Sequence, residues 1–393
     1  MSKPKLIRIT TAAVSMRIIL RSQLRYMSEY FEVIGVASPD ELHYPQIASQ
    51  EGIVTIPIRM ARTIQPIADA KALIQLIRLF RKERPTIVHT HTPKAGLLGM
   101  IAAFVTCVPI RIHTVGGMPL MELKGVKRKV LWCTEWVTYR CAHSVWPNSY
   151  GLRDWMIAHR LVSPSKLKVI GYGASNGINT TRFDPVLPEI RGKANQLRIE
   201  NKISAHALVF SFVGRIAKDK GIVELVAAFD RLLADGVDAY IVLLGTFEKE
   251  HGGLSTIEID KIESHPHIHF LGRADDVRPY FSMSDVFVLP SYREGFPNAL
   301  MEAGSLCVPS IATDINGCNE IIQDGVNGYL VPSKDYNALY IKMKALADHK
   351  SIRQEMGQKA RGVIVAKYDN HILWEDMLAN YKLLLNKLDK KLE

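Results

Sequence analysis

The sequence predicts an α/β protein made of two doubly wound domains in tandem, which face each other across a cleft. Short apolar runs typical of strands alternate with segments of helical spacing, and repeated β–α units of this kind form parallel sheets covered on both faces. The alternation stops once, over residues 173–205, and then resumes. A chain of 393 residues also exceeds what one hydrophobic core usually serves, which favours two domains.

The first half contains the first β–α series. Its helices are predicted over Arg17–Tyr30, Pro66–Lys82 and Ala95–Val105, where apolar residues recur at intervals of three and four. The apolar and β-branched runs between them are typical of buried strands. These strands are Leu6–Ile9, Phe31–Ala37, Gly52–Ile58, Thr86–Thr90, Ile110–Thr114, Ser144–Pro147 and Leu167–Ile170.

The polar stretch 173–205 has turn signals such as Asn176-Gly177 and little periodicity, which indicates a linker. Domains are therefore predicted over residues 1–180 and 200–369. The last amphipathic helix, 370–389, is expected to cross back to the first domain.

The second half repeats the pattern. Its predicted strands are Leu208–Val213, Ala239–Leu244, His267–Leu271, Val286–Pro290 and Pro309–Thr313. Its predicted helices are Gly221–Leu233, Val277–Met283, Pro297–Ser305, Tyr336–Asp348 and Ser351–Lys367. In sheets of this type, ligands bind beyond the carboxyl ends of the strands, so candidate residues are sought there.

Composition excludes several classes of protein. No apolar run reaches the roughly 20 residues of a membrane-spanning helix, and Leu6–Ile9 is too short for a signal peptide. Five cysteines without a CxxC pair indicate a reducing compartment and no zinc site. Two groups of alternating histidines have a spacing open to a metal, but no carboxylate lies beside them, so strand-end or loop histidines are favoured. These are His89, His91, His265, His267 and His269.

The net charge of +11 is divided unevenly along the chain. Residues 1–175 hold 24 Lys and Arg against 10 Asp and Glu, whereas the rest holds 26 against 29. The first half is therefore strongly basic and the second nearly neutral. A basic half indicates an anionic partner, such as a membrane surface, a nucleic acid or a phosphorylated substrate.

The sharpest motif joins two cations to a strand end and a helix start. Gly214-Arg215 closes a predicted strand, and Lys220-Gly221 follows at the N-terminus of a helix. Helix N-termini offer free N–H groups and the positive end of a dipole. With Arg as a bidentate donor and Lys as a point charge, the motif suits a diphosphate. The structural alternative is a surface loop with two solvated cations.

A second motif places two carboxylates around the exit of the strand Val286–Pro290. Glu294 lies on the loop, Pro297 suits the first turn of the next helix, and Glu302 lies about a turn inside it. Both carboxylates can face one ligand that combines a sugar, a diphosphate and a ribose. The backbone N–H groups between them belong to Gly295, Phe296 and Asn298. The alternative, a helix glutamate that favours the dipole by about 0.3–1 kcal/mol, does not explain the pair.

These motifs resemble those of the retaining glycosyltransferases of family 4, which have the GT-B fold of two Rossmann-like domains. The resemblance covers essentially the whole chain, and five motifs in order are specific to the family, though not to the sugar. They are SNGINTTRF at 175–183, VGRIAKDKG at 213–221, the segment from Gly272-Arg273 to Val286–Ser291, EGFPNALMEA at 294–303, and Asp324-Gly325 to Gly328-Tyr329-Leu330.

The resemblance implies a role for each residue. Arg215 and Lys220 would neutralise the donor diphosphate as it leaves, Glu302 would bind the ribose, and Glu294 would hold the transferred sugar. His113 would face that sugar from the first domain, although a histidine at a strand end is otherwise more often structural. Further donor contacts are implied for Arg273, Gly295, Phe296, Pro297 and Asn298. No metal and no cofactor are implied, because the two cations take the metal's place.

One segment departs from the family. Many relatives carry a Gly-Gly loop after the first strand, close to the diphosphate, but here residues 10–15 read TTAAVS. Side chains limit the close approach of a backbone. The hydroxyls of Thr10, Thr11 and Ser15 are the candidate replacement donors, and this contact is left open.

Two basic clusters in the first half are candidates for the acceptor and a membrane. Arg17, Arg21 and Arg25 lie four apart, as one stripe on a helix. The second cluster, Lys127, Arg128 and Lys129, precedes an apolar and aromatic segment that contains Trp132 and Trp136. Such faces suit an anionic bilayer or a lipid diphosphate; the alternative is a solvated face over a core stripe. The aromatics form no stacking platform, so no nucleic-acid partner is expected.

The sequence therefore indicates a retaining hexosyl- or N-acetylhexosaminyltransferase. The expected donor is a UDP-sugar or another nucleotide-sugar, and the expected acceptor is a polyprenyl-diphosphate-linked saccharide. Such an enzyme would build capsule, O-antigen or a related polysaccharide, as a cytoplasmic protein peripheral on the inner face of the cell membrane. Two alternatives are a nucleotide-sugar epimerase of the same fold, which needs a second acid/base set, and a catalytically silent nucleotide-sugar-binding protein.

Overall fold

A computed structural model of the chain describes residues 3–61, 63–121, 124–248 and 252–392. The chain divides into two compact units. The first contains Met1–Asn176 and His371–Glu393, and the second contains Gly177–Asn370. Each unit has its own sheet of six parallel strands, and helices connect successive strands.

The first unit alternates strands and helices. Its strands are β1 (Lys5–Ala12), β2 (Glu32–Ser38), β3 (Val54–Pro57), β4 (Ile87–Thr90), β5 (Ile110–Val115) and β6 (Ser144–Pro147). Its helices are α1 (Ala13–Ile19), α2 (Gln23–Ser28), α3 (Tyr44–Glu51), α4 (Pro66–Glu83), α5 (Pro93–Val105), α6 (Gly125–Cys141) and α7 (Tyr150–Ala158). The sheet order is β3-β2-β1-β4-β5-β6.

The second unit is built in the same way, with the sheet order β12-β11-β10-β7-β8-β9. Its strands are β7 (Leu208–Val213), β8 (Ala239–Leu244), β9 (Ile268–Phe270), β10 (Val286–Leu289), β11 (Ser310–Thr313) and β12 (Gly328–Val331). Its helices are α8 (Pro188–Glu200), α9 (Ile222–Ala234), α10 (Thr256–Ser264), α11 (Arg278–Ser282), α12 (Asn298–Ser305), α13 (Cys318–Ile321), α14 (Tyr336–Asp348) and α15 (Lys350–Lys367).

The last helix, α16 (Asn370–Leu392), follows the second unit in sequence, but from His371 onward it belongs to the first. Its buried face, which includes Leu373, Trp374, Met377 and Tyr381, packs in one core with residues of β1, α1 and α2. No helix in the described parts of the chain is both long and apolar enough to cross a bilayer.

Both sheets have the strand order of a dinucleotide-binding fold, in which the winding direction reverses between two central strands. The reversal falls between β1 and β4 in the first unit and between β7 and β10 in the second. At such a switch point the loops after the two strands separate and leave a crevice at their carboxyl ends. The fold therefore singles out the loops after β7 and β10 in the second unit.

Two predicted elements differ in the structure. The helix expected over 17–30 is broken into α1 and α2, because the chain turns at Ser22, which has the left-handed φ of 61°. The predicted strand Leu167–Ile170 makes only a single bridge, from Leu167 to Val145 of β6.

The stretch 173–205 contains a packed helix where the sequence indicated a linker. Ala194 of α8 lies in a hydrophobic cluster with Val209 of β7 and Val242 of β8, and Ile190 is buried as well. The boundary between the units falls at Asn176, and 177–205 belongs to the second unit. The helix escaped prediction because it buries few apolar side chains, so its sequence shows little hydrophobic periodicity.

A buried polar network ties α16 to the first sheet. The Arg8 guanidinium, on β1, is fully buried and donates to His91 Nε2 at 2.9 Å and to Tyr381 Oη at 3.2 Å. It also donates to Gln23 Oε1, and the Gln23 amide nitrogen donates to Asn176 Oδ1 at 3.0 Å. A buried cation must have its donors satisfied. Arg8 therefore connects the central strand β1 to α16 and to α2, and Gln23 extends the network to Asn176.

Three histidines of this unit are also buried. His89 lies within hydrogen-bond distance of Tyr381 Oη, and His113 Nδ1 lies 2.8 Å from Thr90 Oγ1. Burial holds the pKa of His89 and of His91 well below the usual range and lowers the pKa of His113 to about 4. The rings are therefore neutral at pH 7. Among the described residues, no three His, Cys, Asp or Glu side chains are grouped so that they could hold a metal ion.

The buried histidines make the first unit sensitive to acid. Below about pH 6.5 the unfolded chain protonates them and the folded chain does not, so the free energy of unfolding falls as the pH falls. For His113, whose folded pKa is about 4, lowering the pH from 7 to 5 costs on the order of 2 kcal/mol. Urea unfolding at the two pH values measures the loss.

Burial also raises the pKa of Glu135, which acts in the opposite direction. The pH dependence of the His113 imidazole signals in NMR spectra therefore measures the histidine pKa directly, apart from the contribution of Glu135. A His113 ring that titrates near pH 6.5 in the folded protein would contradict the expectation.

Candidate active site

Two loops meet at the switch point of the second sheet. We call residues 214–221 the β7 loop and residues 290–297 the β10 loop. The backbone N–H of Tyr292 donates to the carbonyl of Asp219 at 2.9 Å, which joins the two loops directly. The two motifs singled out in the sequence, 80 positions apart, are therefore adjacent in the fold.

Gly221 allows this close approach. It has a φ of +69°, and a Cβ added there would lie 2.1 Å from the carbonyl oxygen of Pro290. Only glycine combines that backbone conformation with that separation. The sequence indicated that Gly221 marks the start of a helix. The structure adds a second reason for glycine at this position, which is the close packing of the two loops.

Lys220 and Glu294 form an ion pair across the two loops. Lys220 Nζ lies 2.6 Å from Glu294 Oε1, and the two side chains are only 16% and 15% exposed. A short, charge-assisted hydrogen bond with little access to water is stronger than an ordinary surface pair. The structure thus brings together two residues whose predicted roles concern one ligand, and it holds them at the carboxyl edge of the sheet.

Arg215 is exposed and is paired with carboxylates. Its guanidinium lies 2.8 Å from Glu248 and 3.3 Å from Asp219, and Arg293 also approaches Asp219, at 3.5 Å. The sequence interpretation missed these acids, although the spacing of four between Arg215 and Asp219 was an available signal. An anion that binds Arg215 competes with these two carboxylates for the N–H groups of the guanidinium.

The β10 loop ends at α12. The Phe296 ring packs on Tyr368 with centroids 5.5 Å apart, and Pro297 is the buried N-cap, so the helix begins at Asn298, one residue later than predicted. Glu302 lies in the second turn and is half-buried. The first N–H groups of α12 thus lie directly after the loop that carries Glu294.

The next connection, between β11 and α13, supports Gly295 from behind. The Asn316 amide donates to the Gly295 carbonyl at 3.0 Å. Gly317 has a φ of +79°, and a Cβ there would lie 2.4 Å from the same oxygen. The backbone of Gly295 is therefore positioned by a side chain and by a second close approach.

Tyr292 braces the β10 loop against α9. Its hydroxyl donates to Glu224 Oε1 at 2.6 Å, and the Lys334 ammonium lies 4.8 Å from its ring centre. Burial, together with the hydrogen bond to Glu224, raises the pKa of Tyr292. The tyrosine therefore stays protonated and acts as a donor. Nothing in the sequence pattern indicated this contact, because α9 and the loop are distant in sequence.

Two family descriptions match the chain. "Glycosyl transferases group 1" matches residues 194–363, and "Glycosyl transferase 4-like domain" matches residues 22–173. The capsular polysaccharide biosynthesis glycosyltransferase CapM of Staphylococcus aureus is 32% identical over 391 residues, which cover 100% of both chains. The chain belongs to the group 1 glycosyltransferases.

A second relative of this glycosyltransferase is the UDP-Gal:alpha-D-GlcNAc-diphosphoundecaprenol alpha-1,3-galactosyltransferase of Escherichia coli. It is 30% identical over 310 residues, which cover 78% of this chain and 77% of that protein. Among solved structures, a glycosyltransferase from Rickettsia africae ESF-5 superposes with a TM-score of 0.81 at 18% identity, covering 98% and 99% of the chains. The predicted fold class, GT-B with two Rossmann-like domains, is confirmed.

The structure places His113 in the core of the glycosyltransferase's first unit. The ring is 2% exposed and lies beneath α5, where a Cβ on Gly96 would be 2.4 Å away from it. This arrangement favours the structural alternative for His113, and its catalytic role stays a prediction.

The Thr10 and Thr11 hydroxyls of the segment 10–15 have partners within the first unit. Thr11 Oγ1 lies 2.6 Å from Thr92 Oγ1 and accepts from the Ala95 N–H, and Thr10 Oγ1 donates to the Ala12 carbonyl. The segment forms the end of β1 and the start of α1. A contact with a diphosphate would compete with these bonds.

The basic residues fall into different environments. Arg17 and Arg25 lie on separate helices, α1 and α2, and Arg21 lies between them, so the prediction of one helical stripe is wrong. Arg17 contacts His43, and Arg25 donates to the Gln50 carbonyl. The other predicted cations are exposed; these are Lys127, Arg128 and Lys129 on α6, and Arg273 after β9.

Gly317→Ala tests the support of Gly295. The substitution adds a methyl group against the Gly295 carbonyl, so we expect the β10 loop to shift and turnover to fall at least tenfold, about 1.4 kcal/mol. Gly236→Ala is the matched control, because Gly236 has the same φ of +79° with nothing within 4 Å of its added Cβ. Both variants place a Cβ at a positive φ, so equal turnover in the two would contradict the packing argument.

Tyr292→Phe tests the brace to α9. Loss of the hydroxyl leaves a carboxylate oxygen of Glu224 without its donor, which costs about 1–3 kcal/mol of stability. We expect a lower melting temperature and a lower kcat. Glu224→Gln keeps an acceptor for the tyrosine and should retain most of both. A Gln variant as impaired as Tyr292→Phe would show that the negative charge matters rather than the hydrogen bond.

Proposed function

We propose that this glycosyltransferase moves a sugar from a nucleotide donor, a UDP-sugar, onto a polyprenyl-diphosphate-linked saccharide during the synthesis of capsule or a related surface polysaccharide. The observation that carries the proposal is the Lys220–Glu294 pair, with Arg215 beside it, at the switch point of the second sheet. The activities for which the Staphylococcus aureus and Escherichia coli relatives are named support the substrate classes.

The donor diphosphate would separate the charges that the structure pairs. Its oxygens attract Arg215 away from Glu248 and Asp219, and Lys220 away from Glu294. The freed Glu294 carboxylate then accepts hydrogen bonds from hydroxyls of the transferred sugar. The first turn of α12 adds N–H groups and a positive dipole end. Further donor contacts are proposed for Arg273, Gly295, Phe296, Pro297, Asn298 and Glu302.

The transfer would retain the anomeric configuration by displacement on one face of the sugar. The bond from C1 to the diphosphate oxygen breaks, and the acceptor hydroxyl oxygen bonds C1 from the same side. The departing phosphate oxygen takes the hydroxyl proton, so atoms and charges balance. Arg215 and Lys220 stabilise the charge that develops on the diphosphate, which is usually the largest catalytic contribution. In this scheme they do the work of a metal ion.

The lipid-linked acceptor places the reaction at a membrane. We propose that the enzyme acts as a peripheral protein on the cytoplasmic face, where nucleotide-sugars are available. The net charge of the first 175 residues supports this, because a basic surface concentrates both an anionic bilayer and a lipid diphosphate.

Lys220→Ala and Glu294→Ala should each lower turnover at least tenfold, roughly 1.4 kcal/mol or more in the barrier. The assay follows release of free nucleotide from a panel of nucleotide-sugars, with and without a lipid-linked acceptor. Lys218→Ala is the control for Lys220, because Lys218 lies in the same short turn but pairs with Glu258, 3.4 Å away.

Normal turnover in both variants would overturn the site assignment. Loss of turnover in Lys218→Ala as well would show that the turn, rather than the Lys220 charge, is what matters. Nucleotide release that never depends on the lipid-linked acceptor, with any donor, would overturn the proposed acceptor class.

A further inference from the structure

Helix α6 exposes several of its apolar side chains. The residues that it buries are Glu135, Thr138 and Tyr139. By contrast, Val126 is 77% exposed, Trp136 40% and Trp132 37%. All residues from Lys124 to Val130 are exposed, so the start of the helix projects from the core of the first unit. Tyr139, Leu131 and Cys141 pack in or against the core, so α6 has an apolar outer face in addition to its inner one, which an ordinary surface helix lacks.

The exposed side chains form one continuous surface, which we call the α6 face. The spacing of Val126, Val130 and Cys133 places them along one line of the helix. Trp132 and Trp136 stack beside that line, with ring centroids 6.4 Å apart and planes 17° apart. The aromatic rings thus present their combined surface next to the valines.

The charges on α6 are of one sign. Its exposed cations are Lys127, Arg128, Lys129 and Arg140, and Lys124 precedes them. The only acidic residue in the helix sequence is Glu135, which is buried on the opposite side. Arg140 lies 5.2 Å from the Trp136 ring centre, in a cation–π contact. A partner for this face must accept apolar groups and carry negative charge.

We propose that the α6 face docks on an anionic bilayer, with the valines and tryptophans at the boundary between head groups and acyl chains. Tryptophan favours that boundary, and cations beside it gain from anionic lipid. The inference deepens the proposed function by naming the surface that reaches the membrane, and it rests on that function only for the choice of a bilayer over other anions.

Other occupants fit less well. A second copy of the chain would bring cations against cations, which opposes a symmetric contact. Single-stranded nucleic acid needs aromatic faces free to stack on bases, but here the two tryptophans stack on each other. A nucleic acid also offers little apolar surface to the exposed valines.

Flotation with the full-length chain tests the proposal. Vesicles of phosphatidylcholine with about a third phosphatidylglycerol should float the protein at low salt, and vesicles of pure phosphatidylcholine should float it less. Trp132→Ser with Trp136→Ser, and Lys127→Glu with Arg128→Glu and Lys129→Glu, should each weaken partitioning at least tenfold. Lys193→Glu with Lys202→Glu and Lys350→Glu, all exposed in the second unit, is the charge-matched control and should weaken it by less.

Cys133 gives a readout that leaves the face largely intact. It is exposed in the α6 face, so an environment-sensitive dye on it, with the other cysteines replaced by serine, should shift to the blue on anionic vesicles. The same dye on Ser351→Cys, in a chain without native cysteines, should not shift. Equal shifts at both positions would overturn the proposal.

The outcomes separate this inference from the proposed function, because flotation requires no turnover. A protein that floats through α6 but transfers no sugar supports the inference and overturns the function. An active enzyme that does not float, or one whose tryptophan variants float normally, overturns the inference. Binding to RNA without vesicle binding, or a dimer lost in the tryptophan variants, also overturns it.

Discussion

The candidate site of this glycosyltransferase depends on how closely the loops after β7 and β10 approach each other. The approach is possible because Gly221 lies against the Pro290 carbonyl with no side chain between them. That contact brings Lys220 within 2.6 Å of Glu294, although the two residues are 74 positions apart in the chain. A parallel sheet with its switch point between β7 and β10 supplies the crevice. The sheet of the second unit fixes the positions of these two loops, because each loop follows one of its central strands.

Several of the charged and backbone groups around that pair have a defined partner. Glu224 receives the Tyr292 hydroxyl, and Asn316 donates to the Gly295 carbonyl. The cations expected to bind a diphosphate are balanced by carboxylates, so a donor anion replaces existing pairs rather than meeting bare charges. Its net gain is smaller than the number of cations suggests, because each new contact is offset by one that is lost.

Much of the fold and part of the site could be predicted from the sequence. The strand–helix alternation identified both sheets, and the motifs around Arg215 and Glu294 lie on the two loops that meet at the switch point of the second sheet. Two expectations failed for the same reason, which is that they depended on packing. Arg17 and Arg25 are separated by a left-handed turn, and α8 buries too few apolar residues to show periodicity. A local sequence pattern shows periodicity and the types of side chain, but it does not show which other segments pack against a strand or a helix.

The sequence by itself determined the class of fold, the family and the chemical types in the site, because these follow from short-range spacing and side-chain identity. The tertiary structure alone decided which charges are paired, and it showed that Asp219, Glu224 and Glu248 share the site with the cations. It likewise decided that α6 presents valines and tryptophans to solvent, while the more polar Glu135 and Thr138 face inward. The physical reason is common to both cases: pairing and exposure are set by contacts between segments distant in sequence.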